Sequence, residues 1–149
     1  MRPATDEKFF AGKVCTQDEF QAWWQDIVVD RSDYGNGVQP ATPVLVSPVQ
    51  TIYAEYRTWI INGKVVTASS YKQAGALHTK LDVSPEVVDF AENCARIWSP
   101  EKAFCLDVCE TPEGLRIVEP NTINFAGFYS ANIGKLVAGI EGILPSQQK

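Results

Sequence analysis

Two groups of polar residues in this chain of 149 residues have the types and spacing to do chemistry. The first is Asp107, Glu119 and Asn121, oxygen donors on two neighbouring apolar segments. Between them lies Thr111-Pro112-Glu113-Gly114. Pro112 suits the second position of a type I turn, and Gly114 suits the left-handed residue after it. A bulge at Gly114 would set Thr111 opposite Leu115. Counting back, Asp107 then falls opposite Glu119, and Cys105 opposite Asn121, so the three donors share one sheet face. Two carboxylates directly across a strand pair repel, and a fold keeps them with a cation, a shared proton or exposure to water. Mg²⁺ or Mn²⁺ fits such donors and completes its shell with water and phosphate oxygens. A solvated polar face is the other reading of the same pattern.

The second group is Glu55, Arg57 and Lys72. Asn62-Gly63 is a strong two-residue hairpin signal. It sets Ile61 opposite Lys64, Arg57 opposite Ala68, Glu55 opposite Ser70 and Tyr53 opposite Lys72. Glu55, Arg57 and Lys72 then share a face, unless a bulge intervenes. On pattern alone they fit cross-strand ion pairing as well as they fit an anion site.

Around these groups the chain alternates helices and hairpins. A capping-box pattern, Thr16 with Glu19, opens a helix to about Val29 with an apolar stripe of Phe20, Trp23, Trp24, Ile27 and Val28. Ser84-Pro85 opens a second, with Val87, Phe90, Ala91, Cys94, Ile97 and Trp98 facing inward and Pro100 as its stop. A third runs from about Ala131 to Ile143, with Ile133, Leu136, Val137 and Ile140 inward. Strands are expected at Val44–Ser47, Tyr53–Ile61, Lys64–Lys72, Ala103–Glu110 and Leu115–Asn121. The stretches Asp30–Thr42 and Gln73–Val83 read as loops, the first as a mobile one. The order predicts an α+β fold with antiparallel pairing and helices packed on one sheet face.

Net charge is −5, with no basic run, which argues against a dedicated nucleic-acid binder. No apolar run is long enough to span a membrane, and MRPATDEKFF has no apolar signal core, so the expected compartment is the cytoplasm. Cys15, Cys94, Cys105 and Cys109 match no zinc spacing, and Cys105 and Cys109 on one strand would stand roughly 13 Å apart, too far for a disulfide. They read as reduced thiols. The lone His78 falls in the second loop and reads as solvated.

The run Asp107-Val108-Cys109-Glu110, then Gly114-Leu115-Arg116-Ile117-Val118-Glu119-Pro120-Asn121, resembles the end of ATP-grasp domains. The resemblance implies that Asp107 and the Glu119-x-Asn121 pair hold the metals that bridge ATP phosphates. It makes Asn124, in the following Thr122–Tyr129 loop, a phosphate or substrate contact. Val44-Leu45-Val46-Ser47 and the first hairpin look like the family's hinge and the start of its large lobe. That places adenine on the backbone near Ser47, Pro48 and Val49, and the ribose on Glu55. Arg57 and Lys72 would face the transferring phosphoryl group. Arg2, and less directly Lys8, would reach ATP phosphates from the small lobe.

By this resemblance residues 1–42 are a remnant of an incomplete small lobe and residues 43–149 the large lobe. The activity implied is an ATP- and Mg²⁺-dependent ligation: a small-molecule or peptide carboxylate is activated as an acyl phosphate and attacked by an amine. The missing part of the small lobe implies a fragment, or a homo-oligomer or partner subunit that completes the site. The rival reading is a non-catalytic nucleotide- or protein-binding module; a phosphotransferase using the same nucleotide site is a third.

Overall fold

The computed structural model describes residues 1–4, 10–30 and 38–144. The chain divides into two compact units, Met1–Val49 and Gln50–Lys149. In the first, strand β1 (Arg2–Pro3) pairs antiparallel with β2 (Val44–Leu45), Arg2 opposite Leu45. The short apolar strand therefore belongs with the N-terminal residues, although the sequence suggested a division after Thr42. Helix α1 (Gln17–Asp30) opens on the expected capping box. Thr16 N–H donates to Glu19 Oε2 at 2.7 Å, and Glu19 N–H donates to Thr16 Oγ1 at 3.2 Å. Of its predicted stripe, Ile27 is buried and Phe20 and Trp23 half-buried, whereas Trp24 and Val28 are exposed. Most of the expected mobile loop, residues 31–37, lies outside the described residues.

The second unit is one five-stranded antiparallel sheet. Its strands are β3 (Ala54–Ile61), β4 (Lys64–Gln73), β5 (Ala76–Lys80), β6 (Ala103–Thr111) and β7 (Gly114–Asn121), in the order β5-β4-β3-β6-β7. Asn62 and Gly63 take φ of 49° and 75°, the paired left-handed residues of a type I′ turn. A second such turn, Ala74-Gly75 with φ of 48° and 78°, leads into β5. That corrects the loop expected over Gln73–Val83. An edge strand of five residues with mostly exposed side chains carries no alternating pattern to announce it. His78 lies on this strand, half-buried, so it is not the solvated loop residue the sequence suggested.

Helices cover both faces of the sheet, which corrects the one-face expectation. Helix α2 (Pro85–Ile97) lays Val87, Ala91 and Ala95 on Ile60, Phe104, Leu106 and Val108. Helix α3 (Ile133–Glu141) lays Leu136 on Trp59, Ile61 and Cys105, the alternate residues of the same two strands. Central strands β3 and β6 are apolar on both sides, and such strands need cover on both. The helix ends differ from the periodic stripes. Ile97 and Trp98 are 87% and 60% exposed: Ala95 is the last residue of α2 in the core cluster, and Trp98 is already extended backbone past the helix end. Ile133 and Val137 are also exposed, while Ile140 and Ile143 pack against the core. No helix among the described residues is long and apolar enough to cross a membrane.

Candidate functional site

The second hairpin delivers the predicted register by a different device. The loop is the two residues Pro112-Glu113, with Thr111 opposite Gly114 rather than Leu115. The extra residue sits further along: pairing runs Val108 to Ile117 and then Asp107 to Glu119, so Val118 is the bulge. Past it, Asp107 stands opposite Glu119 and Cys105 opposite Asn121, as the turn logic required. The three oxygen donors share one face.

The first hairpin shows the same compensation twice. Ile61 does face Lys64, but β4 carries shifts after Ile60–Val65 and before Glu55–Lys72. Arg57 therefore faces Ser69 instead of Ala68, and Glu55 faces Lys72 instead of Ser70. Each one-residue slip turns a strand over, and two restore the original facing. Glu55, Arg57 and Lys72 thus do share a face, through pairings the plain count did not give.

The two hairpins join through β3 and β6, and this brings the two polar groups together. Arg57 lies directly opposite Asp107. Its Nε donates to Asp107 Oδ1 at 2.8 Å and its Nη2 to Oδ2 at 2.7 Å, a two-pronged bond between side chains that are both nearly sealed from solvent. Arg57 Nη1 donates to the carbonyl of Gly127 at 3.4 Å. The Asp107 hydrogen bonds push the Arg57 guanidinium further up, so it stays charged. Burial raises the Asp107 carboxyl above its ordinary value, the Arg57 bonds oppose that rise, and the charges of Glu119 and Glu55 add to it.

Around the pair, Glu55 accepts from Lys72 Nζ at 3.1 Å and from the Tyr71 hydroxyl at 2.6 Å. Burial and the bond to Glu55 push the Tyr71 phenol well up, so it remains a donor. Asn121 Nδ2 donates to Glu119 Oε1 at 3.1 Å. Asn124 is exposed on the short 3₁₀ turn Ile123–Phe125 that follows β7. The structure therefore gathers Glu55, Arg57, Lys72, Asp107, Glu119 and Asn121 on one face of the second unit. Arg2, Ser47, Pro48 and Val49 are exposed residues of the first unit, and Lys8 lies outside the described residues.

Tyr71 and Tyr129 were not singled out from sequence. Their rings stack at 5.0 Å, and the Arg57 guanidinium lies 5.7 Å and 5.3 Å from the two ring centroids. Tyr71 is itself the extra residue of a bulge on β4, and Tyr129 sits in a loop, so no periodicity marks either one.

As a donor set, two carboxylates and a carboxamide are the hard oxygens a small divalent cation takes. Among the described residues no cluster of three or more His, Cys, Asp or Glu forms a cage. The cysteines are free, as expected; Cys105 and Cys109 are buried beside this cluster, and burial pushes the Cys105 thiol up to about 12.

Comparison with known proteins follows the same line. The description of ATP-grasp domains, R2K clade family 3, matches residues 1–140. No curated protein matches the chain. Solved structures similar to it include the ATP-grasp ligase PsnB complexed with a minimal precursor, at 18% identity and a TM-score of 0.46, covering 64% of this chain and 35% of that one. PsnB with a phosphomimetic variant of the minimal precursor, Mg and ADP is 20% identical with a TM-score of 0.45, covering 62% and 34%. PsnB with the precursor peptide PsnA2 and AMPPNP is 21% identical with a TM-score of 0.43, covering 65% and 31%. The chain thus spans about a third of the length of these structures. The family match takes in both units and every residue of the polar face, and on it the chain belongs to the ATP-grasp domains of R2K clade family 3.

Proposed function

We propose that this chain binds ATP with Mg²⁺ or Mn²⁺ and forms the nucleotide- and metal-binding part of a ligase. Its reaction would activate a small-molecule or peptide carboxylate as an acyl phosphate, which an amine then attacks. The observation that carries this reading is the convergence of Asp107, Glu119 and Asn121 with Arg57 and Lys72 on one sheet face of an ATP-grasp chain.

In this reading Glu119, Asn121 and Asp107 hold the metal, which when bound neutralises charge on the phosphates. Lys72, half-exposed beside Glu55, supplies a mobile cation for the transferring group. Asn124 orients phosphate or substrate from the turn after β7. Glu55 takes the ribose. Arg2, Lys8 and the backbone of Ser47, Pro48 and Val49 complete the nucleotide contacts. A homo-oligomer or partner subunit would complete the acceptor site, and the reaction belongs in the cytoplasm.

One observation favours a second reading, a nucleotide-binding module without turnover. Both Asp107 oxygens and both Glu55 oxygens already accept hydrogen bonds from protein donors. Calorimetry of ATP and ADP with and without Mg²⁺, on the wild type and Glu119→Gln, tests the site. The expected result is Mg²⁺-dependent binding weakened roughly tenfold or more in the variant, since a charged ligand to the metal is lost. Absence of Mg²⁺-dependent binding in the wild type removes the site from this chain. Binding without ADP release in the presence of carboxylates and amines selects the module.

A further inference from the structure

The segment after β7 returns across the polar face and is tied to it at three points. Arg57 Nη1 donates to the carbonyl of Gly127. Ser130 N–H donates to Ser69 Oγ at 3.1 Å. Asn132 N–H donates to Thr67 Oγ1 at 2.9 Å, just before α3 begins. Between the first two ties, Tyr129 takes a φ of 50°, a left-handed conformation that a bulky residue adopts only when its surroundings impose it. In that conformation Tyr129 lies parallel to Tyr71, 12° between planes, beside the Arg57 guanidinium. Tyr71 is itself fixed, buried, with its hydroxyl on Glu55.

The two rings account for a feature the ion pair alone does not explain. Arg57 is only 8% exposed, on a sheet face where α3 covers Trp59, Ile61 and Cys105 rather than Arg57. A charged guanidinium taken from water needs replacement interactions on its faces as well as its edges. Asp107 and Gly127 serve the edges, and aromatic faces are a favourable partner for the planar cation.

We propose that Tyr71 and Tyr129 form an aromatic clamp that positions Arg57 on Asp107, with Tyr129 as the movable member that governs access to the pair. The clamp is a positioning device, and its bearing on ligand access rests on the function proposed above. Tyr71 is the fixed jaw, on β4 between β5 and β3. Tyr129 is the free one, 43% exposed on a loop that also carries Gly127. When its ring is against Arg57, the guanidinium is shielded and the Asp107 oxygens are both engaged. When it swings away, the Gly127 tie loosens with it, and Asp107 can share its oxygens with an incoming cation.

The test is solvent exchange of the Arg57 Nε–H proton, followed by NMR on the full chain without ligand. The variants are Tyr129→Phe, Tyr129→Leu, Tyr129→Asn and Tyr71→Phe. Removal of a ring at Leu and Asn should speed exchange roughly tenfold, the order of one desolvated cation–aromatic contact. Tyr129→Phe keeps its ring and should stay close to wild type; Tyr71→Phe keeps its ring but gives up the Glu55 bond that helps fix it, and should fall between wild type and the ring-less variants. Asn separates ring from backbone, because it tolerates the left-handed conformation better than Tyr yet has no ring. Exchange unchanged in Leu and Asn, or raised equally in Tyr129→Phe, overturns the clamp. Titration of Mg²⁺ with ADP into the same samples reads the functional proposal separately: no binding in the wild type would defeat that proposal and leave the exchange result standing.

Discussion

Arg57 and Asp107 hold each other at 2.7–2.8 Å in a nearly sealed setting, and the energetic consequence is asymmetric. A buried ion pair adds little net stability over well-packed apolar side chains, but removal of one member strands the other as an uncompensated charge. Arg57→Met or Asp107→Leu alone should therefore destabilise the protein by about 3–5 kcal/mol, whereas the two combined should recover most of that loss. Denaturant unfolding of the two singles and the double closes the cycle; additive losses would mean that the pair is not coupled. Neither residue's partner was legible from sequence. Hairpin loops bear on pairing inside β3–β4 and inside β6–β7; Asp107 falls against Glu119 because the extra residue expected at Gly114 is supplied by Val118 instead. No turn joins β3 to β6. Their pairing is a contact between residues 50 apart in sequence, with a helix between them, and turn chemistry does not reach it.

At the scale of elements, the strands and helices were legible wherever a local signal was unambiguous. Asn62-Gly63 gave a hairpin, Thr16 with Glu19 gave a capped helix, and apolar periodicity gave α2 and α3. Bulges were not legible in place. Val118 and the two slips on β4 involve no glycine, so nothing in composition marks them, and the predicted bulge at Gly114 is a turn residue with φ of 99° instead. Packing of α3 also rests on a residue that periodicity ignores. A Cβ on Gly139 would stand 2.6 Å from Ile61 Cδ1 and 3.3 Å from Val66 Cγ1. The helix lies that close to the sheet because this position has no side chain. Gly139→Leu should push α3 off the Trp59 face and cost about 1–3 kcal/mol by overpacking, against a gain of about 1 kcal/mol or less in helix propensity. The same shift should strain the Asn132–Thr67 tie at the start of α3. Hydrogen exchange of the Asn132 amide, compared with that of α2 amides, reports whether the damage stays local. Equal loss of protection in both helices would argue instead for global loosening.

For the whole molecule, the polar face has a consequence in alkaline solution. Burial beside Arg57 and Asp107 pushes the Cys105 thiol up to about 12, and it pushes the Tyr71 phenol up as well. The folded chain therefore keeps protons that the unfolded chain releases. A group whose folded pKa is raised contributes its stability in full below the unfolded value and loses it as pH climbs through the folded value. For Cys105 the window runs from about pH 9 to about pH 12, and burial with no solvent contact makes the loss of the order of a few kcal/mol. Unfolding midpoints in denaturant, measured at intervals from pH 8 to pH 12, should fall across that window. Cys105→Ala changes absolute stability by altering the packing against Trp59, so the informative quantity is the slope with pH, which should be shallower in the variant. Identical slopes would place the alkaline sensitivity elsewhere. Tyr71→Phe supplies the second arm: it keeps the ring against Arg57, removes the phenol proton, and should reduce the slope chiefly above pH 10, where the unfolded tyrosine ionises. Because Tyr71, Cys105, Arg57 and Asp107 share one face, the two effects should not add cleanly. The double variant should show a slope change that departs from the sum of the singles, as expected for sites that feel the same charges.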